Sequence, residues 1–124
     1  MYINTHTYYS LRYGTIKPKN LLQYAQELGI ESFALTDINT TSACMDVLRL
    51  APKYGVRPVM GVDFRNHSKQ QFIILAKNNE GFQNINTYLS QFLYNDNEIP
   101  FKAKVLPQTF VIYPFSDFQG SSLL

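Results

Sequence analysis

The sequence has 124 residues, of which 45% are hydrophobic and 16% charged, a composition typical of one globular domain and unlike that of a disordered chain. The net charge of +2 arises from scattered basic and acidic residues, so it is too small to indicate nucleic-acid binding by charge alone. No run approaches the roughly 20 apolar residues of a membrane span, and the N-terminus lacks the features of a secretory signal. The only cysteine, Cys44, cannot form an internal disulfide, which favours a cytoplasmic protein in which Cys44 is a small buried side chain.

The first part of the chain alternates a strand pattern with a helix pattern. Residues 2–6 are predicted to form a strand, followed by a polar, aromatic loop that ends at Gly14. Pro18 is at the first-turn position that proline favours in a helix, and Gly29 is a typical helix terminator. The apolar face of this helix consists of Leu21, Leu22, Ala25 and Leu28. Residues 33–36 are then predicted to form a short, buried strand.

A second helix is predicted after the polar run 37–41, which offers several N-cap residues. Pro52 should end or kink this helix because it cannot donate a backbone hydrogen bond, and Gly55 should stop it. The inner face of the helix is predicted to hold Cys44, Val47, Leu48 and Ala51.

The remaining elements are two strands, a third helix and a last strand. The strands are predicted at residues 58–64 and 71–76, and the last strand at residues 110–113. Asn79, which precedes Glu80, is the predicted N-cap of the third helix. Its inward side chains would be Phe82, Ile85, Leu89 and Phe92.

The early order of strand, helix, strand, helix and strand is typical of parallel βαβ units, so we expect an α/β fold in one domain over residues 1–124. Right-handed crossovers would place both early helices on one face of the sheet. Functional sites in such folds lie at the carboxyl ends of strands, which carry His6, Asp37 and Asp63 here. Imidazole and carboxylate are ordinary metal ligands, although helix caps and loop hydrogen bonds are a commoner use of such residues.

Four sequence blocks occur in a fixed order along the chain: Tyr9-Ser10-Leu11 with Gly14, Ala34 to Asp37, Gly55 to Pro58 with Gly61-Val62-Asp63, and Leu75 to Asn78 with Glu80-Gly81-Phe82. In order and spacing, the sequence resembles the PHP domain (polymerase and histidinol phosphatase) that opens the alpha subunit of bacterial DNA polymerase III. The resemblance runs from Tyr2 to about Leu89. It implies a PHP-like fold in which the parallel βαβ units form part of a distorted, here truncated, (β/α) barrel.

The resemblance also implies a degenerate metal site. Members of the family that bind metal carry histidine where this chain has Asn4, Ile38 and Gln71, and aspartate where it has Tyr13. His6, Asp37 and Asp63 are retained as vestigial candidates, with aspartate at position 63 where glutamate is usual. Three residual ligands would hold at most one weakly bound divalent metal, so we expect no cofactor and no catalytic residue.

Two further expectations concern the polar residues near this site. Asn4 and Gln71 can hydrogen-bond to His6 and to the carboxylates, which would turn a metal cage into a polar network. His67 lies in a turn-like polar string and is expected to be solvated. It would replace a lost ligand only if its loop folds back over the strand ends.

By this resemblance, the parent protein is a DNA-directed DNA polymerase, a nucleotidyltransferase of DNA replication, and this N-terminal part is structural and inactive. Its expected partners are the rest of the alpha subunit, the proofreading subunit and, through the parent polymerase, DNA; no membrane is expected. A truncated barrel leaves a sheet edge unpaired, which favours a dimer or a domain swap in isolation. The alternatives are an active metal-dependent phosphoesterase or 3′–5′ exonuclease, and an interaction module with no enzymatic role.

Overall fold

The computed structural model describes residues 2–5, 7, 16–67, 69–95 and 97–114, with residues 2–5 described by their backbone alone. Within these ranges the chain forms five strands and three helices. In chain order they are β1 (Tyr2–Thr5), α1 (Pro18–Glu27), β2 (Ser32–Ile38), α2 (Cys44–Tyr54), β3 (Arg57–Asn66), β4 (Lys69–Ala76), α3 (Asn79–Asn95) and β5 (Thr109–Ile112). In the described part of the chain, no helix is both long and apolar enough to cross a membrane.

The strands form one mixed sheet in the order β1-β2-β3-β4-β5. The first three strands are parallel and are connected by α1 and α2, which confirms the predicted α/β fold with parallel βαβ units. The last two pairings, β3 with β4 and β4 with β5, are antiparallel. A short turn at His67, whose φ is +55°, joins β3 to β4, and a turn of this length can only connect antiparallel neighbours.

All three helices pack on one face of the sheet, as predicted for the two early ones. Leu35 of β2 pairs in register with Met60 of β3, and both belong to a core formed with buried side chains of α1 and α2. Further along the same face, Val62 and Phe64 of β3 pack against α3. Aromatic contacts reinforce this second core, since the ring centroid of Phe64 lies 5.0 Å from that of Phe72 and 5.7 Å from that of Tyr88.

The opposite face of the sheet carries a smaller apolar cluster. Ala34, Ile73 and Leu75 are buried there and are packed with Val59 and Ile112. Gly61 lies in this layer, where an added Cβ would come within 2.8 Å of Leu75 Cδ2. The β3–β4 pairing therefore has no space for a side chain at position 61.

Helix α1 begins and ends where the sequence predicts. Pro18 is at its first turn, and Gly29, with φ of +72°, follows its last turn. Leu22 and Ala25 are buried, whereas Leu28 is 73% exposed. The prediction of an inward Leu28 is wrong because this residue is the C-cap, where the helical periodicity has ended.

Helix α2 differs from its prediction at its N-terminal end, whereas Gly55 ends it as predicted. Asp37 is a residue of β2 and does not cap the helix, whose N-cap residue, Ala43, makes no side-chain hydrogen bond. Pro52 lies inside the helix, and Gly55 ends it with φ of +67°. Leu48 is 43% exposed and lies beside the buried stripe formed by Cys44, Val47 and Ala51, so its predicted inward position is wrong.

The N-cap of helix α3 is one residue earlier than predicted. Asn78, and not Asn79, accepts the capping hydrogen bond through Oδ1, from the backbone N–H of Gly81 at 3.0 Å. Ile85 and Leu89 are buried as predicted, with Phe82 and Phe92 partly buried, and Tyr88 is an additional buried residue.

Candidate functional site

The candidate site lies at the carboxyl ends of β2 and β3, and the register of these strands decides which side chains meet there. Ile38 pairs with Asp63, and Asp37 pairs with Val62. Paired residues of neighbouring strands share a face, and successive residues alternate between faces. Asp63 and Ile38 therefore lie on the face away from the three helices, which we call the site face, whereas Asp37 lies on the helix-covered face.

Asp37 is held on the helix-covered face by Thr7, the residue that follows the first strand by two positions. Its carboxylate accepts hydrogen bonds from the Thr7 backbone N–H and from Thr7 Oγ1, the latter at 2.6 Å. Both residues are buried. Burial, with a smaller contribution from the Asp37 charge, raises the pKa of the Cys44 thiol to about 12. Asp37 thus connects the end of β1 to β2, and each of its two oxygens accepts a hydrogen bond from Thr7.

Asp63 is fully buried on the site face and is paired with Arg65 of the same strand. The guanidinium donates two hydrogen bonds to Asp63 Oδ2, from Nη2 at 2.9 Å and from Nε at 3.1 Å. The Arg65 side chain is only 13% exposed, so the ion pair is largely shielded from water. Charge-assisted hydrogen bonds of this kind are stronger than those between neutral groups.

Asn39, the first residue after β2, holds the backbone of Arg65. Asn39 Oδ1 accepts a hydrogen bond from Arg65 N at 2.9 Å, and Asn39 Nδ2 donates one to Arg65 O at 2.8 Å. The backbone N–H of Asn39 also donates to Asp63 O at 3.0 Å. Asn39 has φ of +52°, in the left-handed region that asparagine tolerates better than most residues. Its amide thus continues the pairing of β2 with β3 beyond the end of β2.

The structure also places three other residues considered in the sequence analysis, namely Ile38, Gln71 and His67. Ile38 is half-buried beside Asp63. Gln71 is buried where the β3–β4 register shifts by one residue, so it lies opposite no residue of β3. His67 is exposed in the β3–β4 turn, as predicted, and lines a cavity of about 240 Å³ together with Arg65.

For three of the predicted positions the structure describes no side chain. His6 and Tyr13 are outside the described residues, and Asn4 is described by its backbone alone. The predicted hydrogen bonds of Asn4 and Gln71 to His6 therefore stay predictions.

Comparison with known proteins identifies the family. The family described as PHP domain matches residues 3–113. The chain belongs to the PHP domain family. This PHP domain is similar to the DNA polymerase III subunit alpha of Campylobacter jejuni, with 33% identity, and to that of Helicobacter pylori, with 32% identity. Each match covers 75% of this chain but only 9% and 8% of the respective relative, so the chain spans less than a tenth of the length of these relatives.

Solved structures show the same fold at lower identity. A protein from Bifidobacterium adolescentis whose structure is described as that of a metal-dependent phosphoesterase superposes with a TM-score of 0.58 and 21% identity, over 75% of this chain and 31% of that one. An amidohydrolase from Chromobacterium violaceum superposes with a TM-score of 0.53 and 16% identity, over 69% of this chain and 32% of that one. These likenesses support the PHP-like fold.

The described residues of this PHP domain do not fit a multinuclear metal centre. They contain no group of three or more His, Cys, Asp or Glu side chains that could hold one ion. On the site face, Asp63 has an isoleucine beside it in β2 and a guanidinium bound to its carboxylate. Ile38 has no lone pair to donate, and the positive charge of Arg65 repels a second cation.

Sequence reasoning missed three residues that shape the site, namely Thr7, Asn39 and Arg65. The spacing of Asp63 and Arg65 was an available signal, because residues i and i+2 of a strand lie on the same face. The roles of Thr7 and Asn39 depend on contacts between residues 30 and 26 positions apart, which local sequence patterns do not reveal.

Proposed function

We propose that this chain is the N-terminal PHP domain of the alpha subunit of a bacterial replicative DNA polymerase, and that it acts as a scaffold without catalysis. The relatives support the first part, because those with up to 33% identity are DNA polymerase III alpha subunits. Since the chain spans less than a tenth of their length, the polymerase activity would reside elsewhere in the parent protein.

The main support for the proposed absence of catalysis is the pairing of Ile38 with Asp63 on the site face. A metal-dependent phosphoesterase must fix its metal ions with several ligands and leave a position open for water. Here a hydrocarbon side chain stands where the family resemblance expects a histidine. The second acidic candidate, Asp37, is on the other face of the sheet and is hydrogen-bonded to Thr7.

The experiment is an activity and metal analysis of protein purified without chelator. Metal content would be measured by inductively coupled plasma mass spectrometry. Hydrolysis of a phosphate monoester and of single-stranded DNA from its 3′ end would be assayed with added Mn²⁺ or Zn²⁺. We expect background turnover that is the same in the unmodified chain and in Asp63→Asn, together with less than stoichiometric metal. Stoichiometric metal with turnover that His6→Ala abolishes would establish the alternative, an active phosphoesterase or exonuclease.

The partners that follow from this proposal are the remainder of the alpha subunit, the proofreading subunit and, through the parent polymerase, DNA. A scaffold role requires that the domain be covalently continuous with the polymerase. The sequence of the gene beyond the codon for Leu124 tests this requirement. A reading frame that continues into a polymerase palm supports the proposal, and one that stops without a polymerase region contradicts it.

Self-association of the isolated chain is part of the same proposal. Among the described residues, β1 pairs only with β2, and β5 pairs only with β4. Strand edges of this kind can pair with a second copy. Sedimentation velocity over a wide concentration range should therefore show a dimer at high concentration, whereas a strict monomer throughout would contradict self-association.

A further inference from the structure

The buried carboxylate of Asp63 requires a positive charge close to it. Asp63 is fully buried, and an ionised carboxylate without a partner in such surroundings is strongly unfavourable. In a metal-binding site the cation would meet this requirement. In this chain the guanidinium of Arg65 lies at hydrogen-bonding distance from Asp63 Oδ2 through two nitrogens, at 2.9 and 3.1 Å.

The position of Arg65 follows from the sheet and not from a loop. Asp63 and Arg65 lie two residues apart in β3, so both side chains are on the site face. β3 is paired on both sides at this point, since Asp63 is in register with Ile38 of β2 and with Ile73 of β4. The guanidinium therefore lies next to Asp63 because both residues belong to a strand whose backbone is held by its neighbours.

Asn39 fixes the last part of that backbone. β2 ends at Ile38, so the N–H and C=O groups of Arg65 have no further residue of β2 to pair with. The amide of Asn39 supplies both a donor and an acceptor to Arg65, at 2.8 and 2.9 Å. A side-chain amide that replaces a strand residue in this way limits the movement of Arg65 relative to Asp63.

We propose that Arg65 is a tethered cation that excludes divalent metal ions from Asp63, and that Asn39 is the positioning residue that keeps it there. This inference deepens the proposed function, on which it rests, by naming what stands in place of the metal. It predicts that the site face gains affinity for a divalent cation when the guanidinium is removed or loosened.

The test is a Mn²⁺ titration of the full chain, followed by electron paramagnetic resonance of free and bound Mn²⁺. Arg65→Met removes the charge at similar side-chain length, and Arg65→Lys retains a cation. Asn39→Gly removes the amide while allowing the left-handed backbone. We expect Mn²⁺ to bind Arg65→Met at least about tenfold more tightly than the unmodified chain, with Asn39→Gly intermediate and Arg65→Lys close to the unmodified chain.

Arg49→Met is the matched control. Arg49 also lies beside an aspartate, Asp46, but this pair is on the surface of α2, with side chains 67% and 48% exposed. Its replacement should leave Mn²⁺ affinity unchanged. Equal Mn²⁺ affinity of the unmodified chain and a folded Arg65→Met would overturn the inference. If circular dichroism shows that Arg65→Met is unfolded, Asn39→Gly decides, and an unchanged affinity of that variant overturns the inference.

The outcomes for this inference and for the proposed function are distinct. Phosphoesterase turnover by the unmodified chain would refute the absence of catalysis, whatever the Mn²⁺ affinities of the variants. An inactive protein whose Mn²⁺ affinity does not respond to Arg65→Met would leave the proposed function standing and refute the role of Arg65.

Discussion

The ion pair of Asp63 with Arg65 should contribute strongly to the free energy of unfolding. At 2.9 Å, two unit charges in a medium of effective dielectric constant about 20 attract each other by about 6 kcal/mol. The cost of removing both groups from water offsets much of this attraction. Arg65→Met leaves the buried carboxylate without its guanidinium and should lower the free energy of unfolding by about 3–5 kcal/mol.

A double-mutant cycle isolates the pairwise contribution. We expect Asp63→Asn to be less costly than Arg65→Met, because the side chain of Arg65 retains some access to water. The double variant should be more stable than the sum of the two single losses predicts, with a coupling energy of about 1–3 kcal/mol. Urea unfolding followed by circular dichroism at neutral pH provides the four free energies of unfolding.

The pair of Asp46 with Arg49 provides the comparison cycle. It is an exposed i, i+3 pair in α2 with a nitrogen–oxygen distance of 3.7 Å. Such pairs contribute at most about 0.5 kcal/mol because water and salt screen them. A coupling energy for Asp63 and Arg65 no larger than that of this surface pair would refute the reasoning from burial.

Three further predictions concern the cores and the helix ends. Because burial raises the pKa of Cys44 from 9.0 to about 12, the unfolded thiol loses its proton first as the pH rises. Stability should therefore fall by about 1.4 kcal/mol per pH unit between about pH 9 and 12, a slope that urea unfolding of Cys44→Ala should lack. Gly61→Ala would force a Cβ onto the backbone carbonyl of Ile74 in β4 and should lower the free energy of unfolding by about 1–3 kcal/mol in urea unfolding. Gly55→Ala has open space for the Cβ but φ of +67°, so it should lower the free energy of unfolding by about 1 kcal/mol in the same assay. Asn78→Ala removes the N-cap of α3 and should lower the thermal unfolding midpoint, with a loss of about 1 kcal/mol, while the neighbouring Asn79→Ala should change it little.

Much of the fold was predictable because proline and glycine mark the ends of its elements. Pro18 and Gly29 bracket α1, and Gly55 ends α2, each for a conformational reason that depends on that residue alone. The inward position of Leu48 was predicted wrongly because a helical pattern does not define the edge of the buried stripe. That edge depends on where β2 and β3 lie, which is a property of the tertiary structure.

The composition of the site was predictable only in part. The sequence places Asp37 and Asp63 at strand ends, but the face that each side chain occupies depends on where its strand begins and on the register with its neighbour. The observed register turns Asp37 toward the helices and Ile38 toward the site face. For the same reason, Ile38 and not Asp37 lies beside Asp63 on the site face.

A retained acidic residue is therefore weak evidence for a retained metal. A buried carboxylate needs compensation by positive charge or by hydrogen-bond donors, and a metal ion and a guanidinium both meet that need. Asp63 can remain buried and ionised without any ion from solution, because Arg65 is on the same face of the same strand. Arg65 either takes the place of the metal ion or is only a neighbour of the site, and the stability of Arg65→Met in the presence of Mn²⁺ distinguishes these two cases. If Arg65 replaces the ion, Mn²⁺ should recover part of the stability that the substitution removes. If Arg65 is only a neighbour of the site, Mn²⁺ should recover none.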